Sequence, residues 1–355
     1  MKQNAIIITQ GFLDMPRAKT AHGLIRDSSK YNILAVIDHQ HAGRDAGEVV
    51  DGQRRAIPIF ENLQAFLQTS SEKAEVCLVG VAGKGGLIPE GMLESVTEAI
   101  QANMSIVSGL HEFMSDMSEL IALAEAHKVT ITDIRKPKPR HELSFWTGRI
   151  KAVKCPNIAI LGTDCNLGKR TTTRLLMHAL QQSKIKAEMI YTGQTGWMQG
   201  SEFGFIFDST LNDFISGELE DAMVRCYEAV KPDVILLEGQ SSLRNPSGPG
   251  GSEFLMSGNA HHVILQHAPG RKYFHHYEKD QLEIPSLESE VNLVEMYNAE
   301  VFAVTLNGEN LTDDELKKYQ QQYEKELGIP VFLPLQTGLE GMVPLIQEII
   351  KQYED

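Results

Sequence analysis

Cysteine is scarce in this chain, with four in 355 residues: Cys77, Cys155, Cys165 and Cys226, none forming a Cys-x-x-Cys pair. That excludes a disulfide scaffold, and the four read as free thiols in a reducing cytoplasm. Positive charge is in deficit, with 33 Lys plus Arg against 47 Asp plus Glu and a formal net charge of −14. Such a molecule repels a nucleic-acid backbone, so no nucleic-acid partner is expected, and an anionic ligand needs a local positive site. No apolar stretch approaches the roughly 20 residues that cross a bilayer. The run Ala5-Ile6-Ile7-Ile8 is too short for the apolar segment of a signal peptide, so neither membrane nor export is expected and the protein reads as cytoplasmic. What is present, 42% hydrophobic and 23% charged residues, is the composition of a soluble globular protein. The length exceeds one ordinary domain of about 150 residues and falls short of three.

Short apolar runs alternate with amphipathic stretches along both halves. In the first, strands are expected over 5–9, 33–37, Val76–Val79, around 106 and over 129–134, with helices over 18–28, 62–68, 90–101 and 116–127. In the second, strands are expected over 158–161, Ala187–Tyr191, 234–237, 262–265, 301–305 and 331–335. Helices fall between them over Lys169–Gln182, 218–229, 288–297, Asp313–Leu327 and 342–353. This alternation predicts an α/β fold in which parallel sheets are covered on both faces. The alternating prolines of Lys136-Pro137-Lys138-Pro139-Arg140 prevent regular structure, which puts a linker at about 137–150 between domains over 1–140 and 145–355.

The strongest chemical signal is Gly162-Thr163-Asp164-Cys165-Asn166-Leu167-Gly168-Lys169-Arg170-Thr171-Thr172. A strand runs into a glycine-rich turn and then a helix carrying Lys169 in its first turn. The unpaired N–H groups of such a start, with the lysine, seat phosphate oxygens. The expected contacts are Gly162, Thr163, Asp164, Asn166, Gly168, Lys169, Arg170 and Thr171. The spacing is one residue longer than the common Gly-x4-Gly-Lys-[Ser/Thr] loop and resembles the Gly-Thr-Asp-x-x-x-Gly-Lys loop of dethiobiotin synthetase. Arg170 stands where the common loop has the hydroxyl that holds Mg²⁺, so the seat suits a diphosphate without magnesium.

Other residues fall around this loop. Glu238 closes an apolar run, where a water- or metal-orienting carboxylate sits in such folds; capping a helix or pairing with Arg is the blander role. Gly193, Gln194 and Thr195 lie in Thr192-Gly193-Gln194-Thr195-Gly196, whose glycines allow close approach to a substrate. Asp208 and Asp213 supply further carboxylates or cap helices. Arg244, in the flexible loop 241–251, and Arg271 are candidates for holding a substrate carboxylate bidentately, or are surface arginines. Weaker signals are Gly11-Phe12-Leu13-Asp14 with Asp38, a poor substitute for Gly-x-Gly-x-x-Gly. The glycine-rich stretch 80–86 carries Lys84. The histidine pairs 261–262, 275–276 and His39-x-His41 lack the His-x-x-x-His spacing of a metal site, so no metal is expected. Cys165 reads as a packing thiol rather than an acyl carrier.

Several stretches together resemble one family. They are Ala18-Lys19-Thr20-Ala21-His22-Gly23-Leu24, Ala42-Gly43-Arg44-Asp45-Ala46-Gly47-Glu48-Val49, Ile106-Val107-Ser108-Gly109-Leu110-His111 and Asp133-Ile134-Arg135-Lys136-Pro137. In the second half, the phosphate loop, Thr192 to Gly196, Asp213-Phe214-x-x-Gly217-x-x-Glu220 and Glu238-Gly239-Gln240 add to it. The family is a two-domain one, long known only as a domain of unknown function, that includes bacterial D-glutamate N-acetyltransferases. The resemblance implies an N-terminal Rossmann-like domain and a C-terminal P-loop domain. It also implies acetyl transfer from acetyl-CoA to the amine of an acidic D-amino acid, D-glutamate. Similar proteins tend to carry His-Pro where this chain has Asn245-Pro246. On this reading the phosphate loop seats coenzyme A, Glu238 is the first candidate to accept the amine proton and His267 the second. Backbone N–H groups of residues 193–196 would meet the oxyanion. The alternatives are an ATP- and magnesium-dependent ligase or kinase like dethiobiotin synthetase, and a non-enzymatic nucleotide-binding regulator. The sequence does not fix an oligomeric state, although paired α/β domains with many exposed apolar helices commonly associate and a homo-oligomer is compatible with it.

Overall fold

In the computed structural model, residues 2–82 and 86–353 are described. They form two compact units, each built on one parallel sheet. The first unit runs from the N-terminus to Pro137 and also takes in Gly193–Ser201. Its strands are β1 (Gln3–Ile8), β2 (Tyr31–Ile37), β3 (Ile59–Phe60), β4 (Val76–Val79), β5 (Ser105–Ser108) and β6 (Ile131–Asp133). Their order, β3-β2-β1-β4-β5-β6, is that of the Rossmann fold.

The second unit contains Lys138–Thr192 and the chain from Glu202 onward. Its strands are β7 (Asn157–Gly162), β8 (Ala187–Tyr191), β9 (Phe203–Gly204), β10 (Val234–Glu238), β11 (His262–His267), β12 (Glu300–Leu306) and β13 (Val331–Phe332). They lie in the order β13-β12-β11-β7-β10-β8-β9. The apolar runs are continuous because both faces are covered. Along β7, Ala159 and Leu161 enter one core while Ile158 and Ile160 enter another; along β10, Ile235 and Leu237 part from Val234 and Leu236 in the same way. This is the two-residue period of a strand sandwiched between helix layers.

Three expectations need correction. The stretch 137–150 is no free linker. Glu218 accepts from Lys138 Nζ (2.6 Å) and Ser144 N (2.8 Å), and Glu220 accepts from Thr147 N, Thr147 Oγ1 and Ile150 N at 2.8, 2.9 and 3.0 Å. Both glutamates sit on the helix Asn212–Val230, which therefore straps this stretch to the second unit. The strand expected over 331–335 ends at Phe332, because Pro334 opens a helical turn, Pro334–Thr337, where its missing N–H costs nothing. The segment Gly193–Ser201 departs from a linear two-domain division. Its helix Gln194–Gln199 is held in the first unit, where Gln199 Nε2 donates to the carbonyls of Gly23 (2.8 Å) and Asp27 (3.0 Å). The Lys30 ammonium also lies 3.2 Å from the Trp197 ring centroid.

Candidate functional site

The phosphate loop leaves the end of β7, and the helix Lys169–Gln182 follows it within the second unit. Asn166 (φ 53°) and Gly168 (φ 98°) adopt left-handed backbone, which glycine takes without strain. The helix begins on Gly168, which has no side chain to cap it, and a helix start of this kind is suited to seating an anion on its leading N–H groups. Lys169 is buried, and its Nζ donates to the carbonyls of Asp164 (2.7 Å) and Ser241 (2.8 Å). Burial pushes its pKa from 10.5 down to about 8. An ammonium resting on two carbonyls gains from an arriving anion. Arg170 and Thr171 occupy the same first turn.

A buried carboxylate sets the loop's shape. Asp164, wholly inaccessible, accepts from Cys165 N (2.7 Å) and Asn245 Nδ2 (2.9 Å) on Oδ1, and from Arg271 Nη1 (2.8 Å) and His275 N (2.8 Å) on Oδ2. Expected as a cofactor contact, its side chain instead clamps the loop to segments on either side. Asn245, the departure from His-Pro, is one of those clamps. It is buried, and its own Oδ1 accepts from Ser247 N and Oγ. Thr163 shares a 2.9 Å hydrogen bond with His267 Nδ1. The Leu167 carbonyl accepts from Gln266 Nε2 (2.9 Å) and Asn307 Nδ2 (2.7 Å).

The two arginines expected to hold a substrate carboxylate are already engaged. Arg271 bridges Asp164 and Glu309 and donates to the Cys165 carbonyl. Arg244 donates to buried Glu290 (2.8 Å) and Ser289 Oγ (2.9 Å), keeping only Nη2 without a partner. Neither presents an open fork. A net −14 molecule has ample carboxylates to neutralise interior guanidiniums, and a buried arginine needs such partners.

Glu238 closes β10 beside β7. Its Oε2 accepts from Thr192 N (3.1 Å), and the Thr192 hydroxyl donates to the Glu238 carbonyl (2.7 Å). Burial raises the carboxyl pKa above its ordinary value; Arg170 is the foremost opposing influence, followed by the Thr192 hydrogen bond and Lys169. Gly239 lets this strand end pass β7 closely, since a Cβ there would lie 2.2 Å from the Ile160 carbonyl oxygen. His267 differs. Burial, reinforced by the charge of Arg271, lowers its pKa to about 4, so near pH 7 the imidazole is neutral and a weak base. It sits between Thr163 and the Tyr323 hydroxyl, 3.4 Å from Nε2.

Gly193, Gln194 and Thr195 belong to the first unit rather than to the unit that carries the phosphate loop. Gln194 and Thr195 are buried there, and the Thr195 hydroxyl meets that of Thr20 at 3.1 Å. The N–H of Gly196, one of the expected oxyanion donors, bonds back to the Gly193 carbonyl. Asp213 is exposed in the first turn of its helix, and Asp208 lies in a short 3-10 turn. Asp38 is saturated by Thr9, Leu13, Gln40 and His41, which fits a role in holding the loop after β1 rather than a ribose. The glycine-rich stretch 80–86, read as a plain strand-to-helix turn with anion wrapping through Lys84 as the alternative, includes residues 83–85, which lie outside the described residues. Among the described residues, no cluster of three His, Cys, Asp or Glu side chains is arranged for a metal, and no helix is long and apolar enough to cross a membrane.

Sequence reasoning missed Thr192 as the partner of Glu238, and Asn245, Gln266 and Asn307 as holders of the loop. The available signal was a polar residue at or just past the carboxyl end of a buried strand, which Thr192, Gln266 and Asn307 all satisfy. Also missed was a cavity of about 450 Å³ beyond His267, bordered by Arg271 and Tyr323.

Comparison with known proteins places this geometry. A P-loop domain model of unknown function, DUF1611_C, matches residues 144–343, and a Rossmann-like one, DUF1611_N, matches 39–137. A protein of Pseudoalteromonas sp named D-glutamate N-acetyltransferase is 28% identical over 277 residues, 76% of this chain and 80% of its own. One of the same name from Tritonibacter scottomollicae is 27% identical over 288 residues, 78% of this chain and 82% of its own. The crystal structure of a DUF1611 family protein from Anabaena variabilis superposes with a TM-score of 0.88 at 27% identity. That match covers 98% of this chain and 100% of the other.

Proposed function

The chain belongs to the DUF1611 family, and from that premise we propose that it is an N-acyltransferase moving acetyl from acetyl-CoA to the amine of D-glutamate. The observation that carries this reading is the name shared by two relatives, D-glutamate N-acetyltransferase, aligned over 76% and 78% of the chain. The phosphate loop supports it. Coenzyme A carries a diphosphate, and the uncapped helix start, Lys169 and Arg170 supply donors and charge without a magnesium hydroxyl. In this scheme the neutral amine attacks the thioester carbonyl and forms the C–N bond. Its proton passes to Glu238, whose carboxyl burial makes more basic than an ordinary carboxylate. The tetrahedral adduct then expels the coenzyme A thiolate, which takes up a proton.

The test is to incubate the full chain with acetyl-CoA and a panel of D- and L-amino acids, with EDTA or with ATP and Mg²⁺, and to follow products by mass spectrometry. N-acetyl-D-glutamate formed in EDTA is the expected result. ADP formation without any acetylated product would overturn the reading in favour of a ligase or kinase.

A further inference from the structure

The backbone ladder between β8 and β10 ends where Ile190 meets Leu237. The same register puts Thr192 opposite Gly239, and there the pairing passes to side chains. Glu238 Oε2 accepts from the Thr192 N–H at 3.1 Å, and Gln240 Nε2 donates to the Thr192 carbonyl at 3.0 Å. In a parallel pair the residues on either side of Gly239 would engage those two groups through their main chains. A carbonyl can only accept, so the Gln240 amide is fixed with Nε2 on Thr192 and Oε1 left as an acceptor. Among the described residues these are the only side-chain hydrogen bonds that Glu238 and Gln240 make, so Oε1 remains on each. Thr192 is a firm anchor. It is wholly buried, its hydroxyl donates to the Glu238 carbonyl at 2.7 Å, and its own carbonyl also accepts from Phe207 N at 3.0 Å. One main-chain residue thus fixes a buried carboxylate and a partly exposed amide on neighbouring turns of one strand end.

We propose that Glu238 Oε1 and Gln240 Oε1 together cradle a primary amine, and that Gln240 sets the selection for it. That this amine is the acetyl acceptor rests on the acyl-transfer reading. A neutral primary amine carries two N–H donors and one lone pair. With one N–H on Glu238 and the other on Gln240, the lone pair is turned away from both oxygens and toward the thioester carbonyl carbon. As the C–N bond forms, Glu238 takes the proton it already meets, and Gln240 keeps the other N–H. The neutrality of Gln240 matters here. A second carboxylate would favour the ammonium form, which has no lone pair to attack with. Lys169 and Arg170, whose charges both act on Glu238, oppose a permanent cation in the same place. A secondary amine brings one N–H to two acceptors and is the poorer fit.

The full chain is assayed with acetyl-CoA and either D-glutamate or N-methyl-D-glutamate, and the binding of D-glutamate and of glutarate, which lacks the amine, is measured by calorimetry. Gln240→Met removes the acceptor at nearly constant volume and leaves the Thr192 carbonyl its bond from Phe207 N, so thermal midpoint and coenzyme A affinity should hold. In this variant kcat/KM and affinity for D-glutamate should each fall about tenfold or more, with glutarate affinity unchanged. The wild-type preference for D-glutamate over its N-methyl form should shrink by a similar factor. Gln240→Glu, which keeps an oxygen and adds a charge, should move the rise of kcat/KM about one unit toward higher pH. Wild-type preference retained in Gln240→Met, or glutarate and D-glutamate affinities that fall together, overturns the cradle. Loss of D-glutamate binding alone in Gln240→Met, with no acetyl transfer by the wild type, supports the cradle and removes the acyl-transfer reading. Acetyl transfer at wild-type rate and preference in Gln240→Met removes the cradle and leaves that reading standing. A wild type that neither binds nor acetylates D-glutamate removes both.

Discussion

Burying an ammonium without a bonded carboxylate costs solvation, and at Lys169 the cost is visible as a pKa lowered from 10.5 to about 8. Two pH effects of definite sign follow. An anion favours the charged form, so above about pH 8 binding must draw a proton onto Lys169, and affinity should fall by up to about tenfold per pH unit. In the unliganded chain the folded pKa lies below the unfolded one, so between about 8 and 10.5 the unfolded state binds more protons. Stability from this group therefore rises with pH across that window, and the penalty is complete below it. Calorimetry of coenzyme A binding in two buffers of different ionisation enthalpy should reveal proton uptake on the alkaline side, absent in Lys169→Met. Affinity that stays flat up to about pH 9.5 would contradict this account. Glu238 works in the opposite sense. Its carboxyl is held protonated above the ordinary range, so kcat/KM for acetyl transfer should climb with pH through a raised acid limb. Glu238→Gln should lose that limb and about 10²–10⁴ in rate. An acid limb at the ordinary glutamate pKa, or a retained limb in the variant, would assign the base elsewhere.

At the scale of elements, the helix Asn212–Val230 is both a cover for the sheet and an anchor for the strap at 138–150. Gly217 is the contact point: a Cβ there would lie 2.1 Å from the Ser144 carbonyl oxygen and 2.6 Å from the Phe145 carbonyl carbon. Backbone on both sides cannot yield cheaply, so Gly217→Ala should destabilise by about 1–3 kcal/mol. It should also speed proteolytic cleavage within 138–150. Cleavage and urea midpoint both at wild-type values would show that the strap does not depend on this approach. The helices whose ends were legible in the sequence are those with explicit terminators. Asp313–Leu327 has a capping box from Thr312 and Glu315 and stops at left-handed Gly328. Lys169–Gln182 starts on left-handed Gly168. Helix Gln194–Gln199 was not legible, because six residues containing Gly, Thr and two Gln show no apolar stripe. Strands of two residues, Ile59–Phe60 and Phe203–Gly204, are too short for any period to register.

For the whole molecule, legibility tracks distance along the chain. The phosphate loop could be read because its parts are contiguous, whereas the Asp164 clamp joins residues 81, 107 and 111 positions away. A single sequence carries no periodic signal for such pairings, and the cavity, assembled from the segment after β11 and the helix Asp313–Leu327, shares that origin. The same organisation sets what a ligand does to the whole. The second unit concentrates Lys169, Arg170 and Arg174 at one helix start on a chain with a net charge of −14. Net charge disfavours a polyanion over the molecule as a whole, and a carrier that binds at this helix start stabilises the folded state by mass action, about 2.7 kcal/mol at a hundredfold excess over Kd. With Arg170 in the place of the magnesium hydroxyl, that stabilisation should be the same in EDTA as in Mg²⁺. In a thermal shift series, coenzyme A with EDTA should raise the midpoint as far as coenzyme A with Mg²⁺, and Lys169→Met should abolish most of the rise. Hydrogen exchange should place the new protection on amides of residues 162–172. A shift that requires Mg²⁺, or is produced by ATP and not by coenzyme A, would show that the loop serves metal-assisted phosphoryl chemistry despite Arg170.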